Sequence, residues 1–178
     1  MKKLTLSTLL FIASFSLFSQ ENESKQNELK INMSNLIGFK WLDVGYERII
    51  NEESSFGFGT LVSLDDKIDG LDEYRTFSIT SYYRQFFSNK YAQGFFVEAF
   101  TMLHSGKYEN YYSNSGAYDT VVEEKYTDLA VGISVGAKWV TKRGFVAEIY
   151  AGIGRDLLNQ SDIEVVGRGG ISIGYRFQ

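Results

Sequence analysis

The fold is decided by residues 128–155, which read DLAVGISVGAKWVTKRGFVAEIYAGIGR. Apolar side chains occupy every second position on either side of a short turn at 141–144, and the positions between them are mostly small or charged. Successive side chains of a β-strand point to opposite faces of the sheet. The stretch therefore predicts a hairpin of two long strands whose two faces meet very different media.

The same alternation recurs in eight runs of strand length. They cover residues 29–36, 41–50, 55–64, 74–87, 95–103, 128–140, 145–155 and 165–177. Runs of about ten residues can cross a bilayer at a tilt. The connections predicted after the third, fifth and seventh runs are long and those after the even runs short, as in outer-membrane barrels, although a predicted tight bend at Gly38 breaks this asymmetry. We therefore predict an all-β, eight-stranded, up-and-down antiparallel transmembrane β-barrel.

One face of the predicted strands carries nearly all of their charge. Its charged residues are Lys30 and the set Asp43, Glu47, Arg84, Glu98, Lys138, Glu148, Arg168 and Arg176. Isolated charges are costly to bury, whereas acids and bases that share a narrow lumen can pair. A sheet in lipid must close, and eight strands enclose a bore that side chains fill. We predict that this set forms a structural charge network in a plugged lumen, in preference to an ion path. The alternative is a soluble barrel or sandwich that turns this face to water.

The ends of the chain divide it into three predicted segments. Residues 1–3 are Met-Lys-Lys, and an apolar run at 4–18 follows that is too short to span a membrane comfortably. We predict a secretory signal peptide at 1–19, a flexible leader at 20–28 and the barrel at 29–178. An uncleaved anchor or a buried first helix is the alternative to a signal peptide. Export across the inner membrane through such a signal, together with the predicted transmembrane barrel, predicts the outer membrane as the destination.

The composition excludes several classes of function. Among the 178 residues there is no cysteine, so disulfides, thiolate metal sites and a lipid-modified cysteine are excluded. The formal net charge of −4, with no basic patch, predicts no nucleic-acid partner. The glycines alternate along strands and do not group into a phosphate-binding loop. We predict no cofactor and no metal.

An acidic segment at 65–73 invites comparison with a calcium loop. An EF-hand needs oxygen ligands at its first, third and fifth positions, glycine at the sixth and glutamate at the twelfth. Counted from Asp65, the residues Asp69 and Gly70 fit this pattern, but Lys67 and Thr76 do not. We favour a solvated acidic loop, or one bridged by divalent ions to lipopolysaccharide.

Four tyrosines stand in the longest predicted loop, which covers about 104–124. They are Tyr108, Tyr111, Tyr112 and Tyr118, and they lie among serine, asparagine and glycine. Tyrosine with small polar residues makes adaptable binding surfaces. We predict either a binding surface for an unidentified partner outside the cell, or a simple cover over the mouth of the barrel.

Several short motifs resemble those of small outer-membrane β-barrel proteins of the Bacteroidetes type. They are Tyr46-Glu47-Arg48, Gly144-Phe145, Ala151-Gly152-Ile153-Gly154 and Ile173-Gly174-Tyr175-Arg176-Phe177. The function of many such proteins is uncharacterised. The resemblance implies contact with outer-membrane lipid and lipopolysaccharide, and recognition of a terminal aromatic residue, here Phe177, by the outer-membrane assembly machinery. These motifs specify architecture and not chemistry; separately, we predict a non-enzymatic role in envelope integrity, or in surface interaction through the loops after the third, fifth and seventh strands.

Two other functions stay open beside that role. Some outer-membrane barrels of similar size are lipid A-modifying hydrolases that use a histidine, a serine and a carboxylate. Here that chemistry would need His104, the only histidine, with Ser105 and a carboxylate such as Glu109, Glu123 or Glu124. The third function is a narrow channel through the lumen.

Overall fold

A computed structural model describes residues 25–65, 73–113, 119–158 and 164–178, and it gives side chains for these except 73–74, 108–113 and 119–124. The elements are β1 (Asn27–Asn32), α1 (Met33–Phe39), β2 (Trp41–Ile49), β3 (Ser54–Ser63), β4 (Glu73–Phe86), β5 (Gly94–Ser113), β6 (Asp119–Val140), β7 (Phe145–Asp156) and β8 (Val165–Phe177). The predicted signal peptide at 1–19 and most of the predicted leader lie outside this range. No helix in the described part of the chain is long and apolar enough to cross a membrane.

The eight strands form one closed sheet in which each strand pairs with its neighbours in the sequence. All of these pairs are antiparallel, and β1 closes the barrel against β8 in a register that runs from Asn27 opposite Phe177 to Asn32 opposite Ser172. A closed sheet leaves no edge strand unpaired. The predicted eight-stranded, up-and-down antiparallel barrel is confirmed.

The two faces of the barrel wall differ in chemistry as the alternation predicts. The outward side chains Ile133, Ile149 and Ile171 are 61%, 50% and 52% exposed, whereas their inward neighbours Ser134 and Glu148 are 1% and 2% exposed. Side chains that face outward along the rest of the wall are likewise mainly aliphatic or aromatic. The alternative in which the charged face meets water is therefore wrong, because that face is turned into the lumen.

The first strand differs from its prediction at both ends. It begins at Asn27, two residues before the predicted start, so that Glu28 belongs to the barrel and not to the leader. It ends at Asn32 because this residue caps α1, where its side chain accepts a hydrogen bond from Asn35 N at 3.2 Å. Asparagine is among the strongest N-caps, and this local bond competes with continuation of the strand. A helix therefore replaces the predicted bend at Gly38, and it lies at the same end of the barrel as the loops after β3, β5 and β7.

Strands β5 and β6 are much longer than predicted. Their pairing continues from Gly106 opposite Tyr126 to Ser113 opposite Asp119, so most of the predicted loop at 104–124 is a two-stranded ribbon. The pairing of β4 with β5 ends at Tyr108, and that of β7 with β6 ends at Ala130, so β5 and β6 continue alone beyond these residues. Tyrosine, valine and threonine in this segment favour strands. Hydrophobic alternation stops where the wall stops, so this signal failed to predict the ribbon.

Glycines on the inner face make room for bulky side chains across the lumen. A Cβ built on Gly136 would lie 2.5 Å from both Ile149 O and Phe96 Cζ. We expect Gly136→Ala to lower the free energy of unfolding by about 1–3 kcal/mol, the usual cost of overpacking. Urea titration of the refolded protein in lipid vesicles measures this cost. The matched control is Gly59→Ala, whose Cβ would meet nothing nearer than Val44 O at 3.8 Å; equal losses in the two variants would contradict the packing argument.

Candidate functional site in the barrel lumen

The charge network in the lumen is centred on a buried glutamate, Glu47 on β2. Its carboxylate accepts hydrogen bonds from Lys30 Nζ and Lys138 Nζ, both at 2.5 Å, and from Arg84 Nη1 at 2.9 Å. The Ser55 hydroxyl donates to it at 2.6 Å. Three cations thus converge on one carboxylate, which is fully buried.

The network spreads from this centre to every strand of the barrel. Arg84 also donates to Glu98 at 2.6 Å and to Glu148 at 2.7 Å. Further links join Lys138 Nζ to Glu28 at 2.8 Å, Arg176 to Glu28 at 2.6 Å, Lys30 to Glu148 at 2.9 Å, and Arg168 to Glu98. Strand β3 joins through Ser55, so the ion pairs connect the barrel across its bore as well as along its wall.

Aromatic rings complete the packing around these charges. The Arg84 guanidinium lies 4.2 Å from the centroid of the Phe96 ring and 4.6 Å from that of Tyr82. The Arg168 guanidinium lies 5.0 Å from the Tyr82 and Tyr150 ring centroids. A cation over an aromatic face gains electrostatic attraction that strengthens when water is excluded. The rings therefore stabilise the cations and also fill the remaining space.

Little free volume remains around the network. The cavities lined by described lumen residues include one of about 50 Å³ towards the end of the barrel that carries α1, and one of about 20 Å³ beside Lys30 and Glu148. Asp43, Gly59 and Arg168 line both of them. A single water molecule needs roughly 10–15 Å³ measured in this way. These two cavities therefore have room for a few water molecules or small ions.

The structure brings together seven of the eight residues in the predicted charge network. They are Glu47, Arg84, Glu98, Lys138, Glu148, Arg168 and Arg176. Asp43 also lies in the lumen, but it accepts hydrogen bonds from the Asn32 and Asn35 amides at 3.0 and 2.8 Å and forms no ion pair within the described residues.

Among the described residues, four charged residues on the inner face were missing from the predicted set: Glu28, Arg75, Asp128 and Asp156. Glu28 was assigned to the leader, although it has the same strand parity as Lys30 and could have been found by extending the alternation backwards. Arg75 has the outward parity of its strand and reaches the lumen through a β-bulge between Arg75 and Phe77. The hydrophobic pattern contains no signal for such a bulge.

The predicted histidine and serine face opposite sides of the wall. His104 is 2% exposed in the lumen, where its Nε2 lies 2.9 Å from Asp156 Oδ1. Ser105, the next residue along the strand, has the opposite parity. The proposed carboxylates Glu109, Glu123 and Glu124 have side chains outside the described residues. The carboxylate that accompanies His104 is therefore Asp156, and Ser105 is not its partner.

The remaining predicted sites fall largely outside the described range. The side chains of Tyr108, Tyr111 and Tyr112 and the whole of Tyr118 lie there, as does most of the acidic segment at 65–73. Asp65 itself forms an exposed ion pair with Lys40 at 2.5 Å. Within the residues that are described, no group of three or more histidine, aspartate or glutamate side chains is arranged to hold a metal ion.

An apolar outer wall around a lumen filled with charged side chains defines a transmembrane β-barrel. In lipid, the closed sheet satisfies the hydrogen bonds of its backbone groups internally. The chain matches no family model, and no curated protein is significantly similar to it. Among solved structures it is similar to the N-terminal β-barrel domain of Pseudomonas aeruginosa OprF, with a TM-score of 0.52 and 11% identity over 86% of this chain and 98% of that one. This likeness shows a shared barrel fold. The narrower resemblance to Bacteroidetes-type barrels stays a prediction.

Proposed function

We propose that this chain is a non-enzymatic integral protein of a Gram-negative outer membrane, with a structural role in the envelope or a surface role through its external loops. The observation that carries the proposal is the apolar wall around a lumen in which ion pairs link seven strands and the Ser55 hydroxyl joins the remaining one, β3. The apolar wall of such a barrel needs lipid or detergent around it. Its environment is therefore outer-membrane lipid and lipopolysaccharide, and an unidentified partner would meet the loops after β1, β3, β5 and β7.

Two details favour this role over the alternatives. A lipid A-modifying hydrolase must present its catalytic groups to lipid, whereas His104 and Asp156 are 2% and 4% exposed and face the lumen. A narrow channel must pass ions through the bore, and the contacts of Glu47 with Lys30, Lys138 and Arg84 obstruct it. Conduction would require these contacts to break.

Heat-modifiable migration tests the proposal. We expect to find the protein in the outer-membrane fraction and to release it only with detergent. On a denaturing gel, the unboiled, folded protein should migrate differently from the boiled, unfolded protein. We also expect no steady unit conductance in planar lipid bilayers, because the lumen is obstructed. Recovery without detergent would contradict the membrane role, and steady unit conductance would favour the channel.

A further inference from the structure

A β-bulge turns one arginine into the mouth of the lumen. On β4 the side chains of Ser78, Thr80 and Arg84 face inward, so a regular strand would turn Arg75 outward. The pairing of β4 with β5 shifts register between Arg75 and Phe77, and this shift changes the face of the sheet to which the Arg75 side chain points. Arg75 Nη2 consequently donates to Gly167 O on β8 at 3.0 Å. Bulges often re-aim a side chain beside a functional site.

Within the part of the chain that the structure describes, Arg75 lacks the glutamate partner that the other lumen cations have. Each of Lys30, Arg84, Lys138, Arg168 and Arg176 contacts a glutamate. Arg75 forms no ion pair within the described residues, and its buried Nε has no hydrogen-bond acceptor there. A charge in such a position is costly unless an opposite charge accompanies it.

The cavity of about 50 Å³ lies against this unpaired cation. Arg75, Arg168 and Trp41 line it, together with the hydroxyl-bearing Ser78 and Thr80. The buried indole N–H of Trp41 also has no acceptor among the described residues. The cavity is thus bordered by two guanidinium groups and several neutral donors, and its volume suits an ion of halide size.

One carboxylate, that of Asp43, also lines the cavity. Its Oδ2 accepts from the side-chain amides of Asn32 and Asn35 at 3.0 and 2.8 Å. These amides turn their donors towards Asp43 and moderate its charge. Arg168 is already paired with Glu98, so Arg75 is the cation at this cavity that has no ion-pair partner among the described residues.

We propose that this cavity binds a small monovalent inorganic anion of halide size, held by Arg75 with Arg168 and Trp41. The anion supplies the ion-pair partner that Arg75 does not have among the described residues. The site goes beyond the structural role proposed above, because it gives the mouth of the lumen a ligand of defined chemical class.

Iodide quenching of tryptophan fluorescence tests the site in the folded full-length chain. Trp139→Phe removes the other tryptophan, which lies 58% exposed on the outer wall, and leaves Trp41 as the reporter. At ionic strength held constant with sodium gluconate, we expect a saturable quenching component from iodide. Arg75→Gln in the same background should abolish that component. Arg48→Gln is the matched control and should retain it, because Arg48 is exposed and donates to Asn27 Oδ1 at 2.8 Å.

A second variant covers the case in which Arg75→Gln does not fold. Gly59→Val keeps every charge and fills the cavity, and its Cβ would meet only Val44 O at 3.8 Å. Loss of saturable quenching in this variant supports the site. Quenching that is linear in the parent, or that stays saturable in Gly59→Val, overturns it. Bromide-soaked crystals should show an anomalous peak between Arg75 and Trp41, and the absence of this peak would also overturn it.

Discussion

Replacing Glu47 by alanine should lower the free energy of unfolding by about 3–5 kcal/mol, the usual cost of leaving buried charges without their partner. Glu47 is fully buried and accepts from Lys30 and Lys138 at 2.5 Å and from Arg84 at 2.9 Å. Its removal leaves three cations short of a carboxylate at the centre of the barrel. Urea titration of the protein refolded in lipid vesicles, followed by tryptophan fluorescence, measures the loss.

The matched control for Glu47 is a glutamate in an exposed ion pair. Glu164 contacts Arg155 at 3.2 Å, and their side chains are 64% and 70% exposed. Solvent screens such a pair, so Glu164→Ala should cost only about 0–1 kcal/mol. If the two substitutions cost the same, the lumen network would not be what holds the strands together across the bore.

Placing an arginine on the outer wall should have the second largest effect. Ile171 lies near the middle of β8, is 52% exposed and stands opposite Ile149 of β7. Ile171→Arg should lower the free energy of unfolding in vesicles by about 2–4 kcal/mol, because the charge then lies at mid-depth in hydrocarbon.

The cost of an outward-facing arginine should depend on its depth in the membrane, which is not so for a substitution on a surface that faces water. Val165 is 50% exposed and begins the same strand at the loop end. Val165→Arg should cost about 0–1 kcal/mol, since a charge near the interface can reach water. Equal small costs at both positions would indicate a wall that faces water, where surface substitutions usually change stability by less than about 0.5 kcal/mol.

The architecture could be predicted because lipid and lumen impose opposite demands on alternate residues. Positions such as Val131 and Ile133 are apolar, and Gly132 and Ser134 between them are small or polar, which is enough to identify strands and assign their faces. The same parity placed Lys138 in the lumen. Its contact with Glu47, 91 residues away in sequence, depends on strand register across the bore and could not be predicted from the alternation.

Two local irregularities, the helix after β1 and the bulge in β4, could not be predicted from the hydrophobic pattern. Met33 continues the strand parity of Leu29 and Ile31, yet the Asn32 cap begins a helix there. The bulge beside Arg75 changes only the register of pairing, which leaves no trace in composition. Both features lie at the loop end of the barrel, where the bilayer no longer dictates which residues alternate.

The most direct test is to measure whether each side chain of β6 is in contact with lipid or with water. The chain contains no cysteine, so single cysteines can be placed one at a time from Leu129 to Ala137 and labelled with a nitroxide. In lipid vesicles, we expect high collision rates with oxygen at Val131, Ile133 and Val135, and low rates at Ala130 and Ser134. High collision rates with a water-soluble nickel complex at Val131, Ile133 and Val135, with no oxygen maximum there, would contradict a wall in contact with lipid.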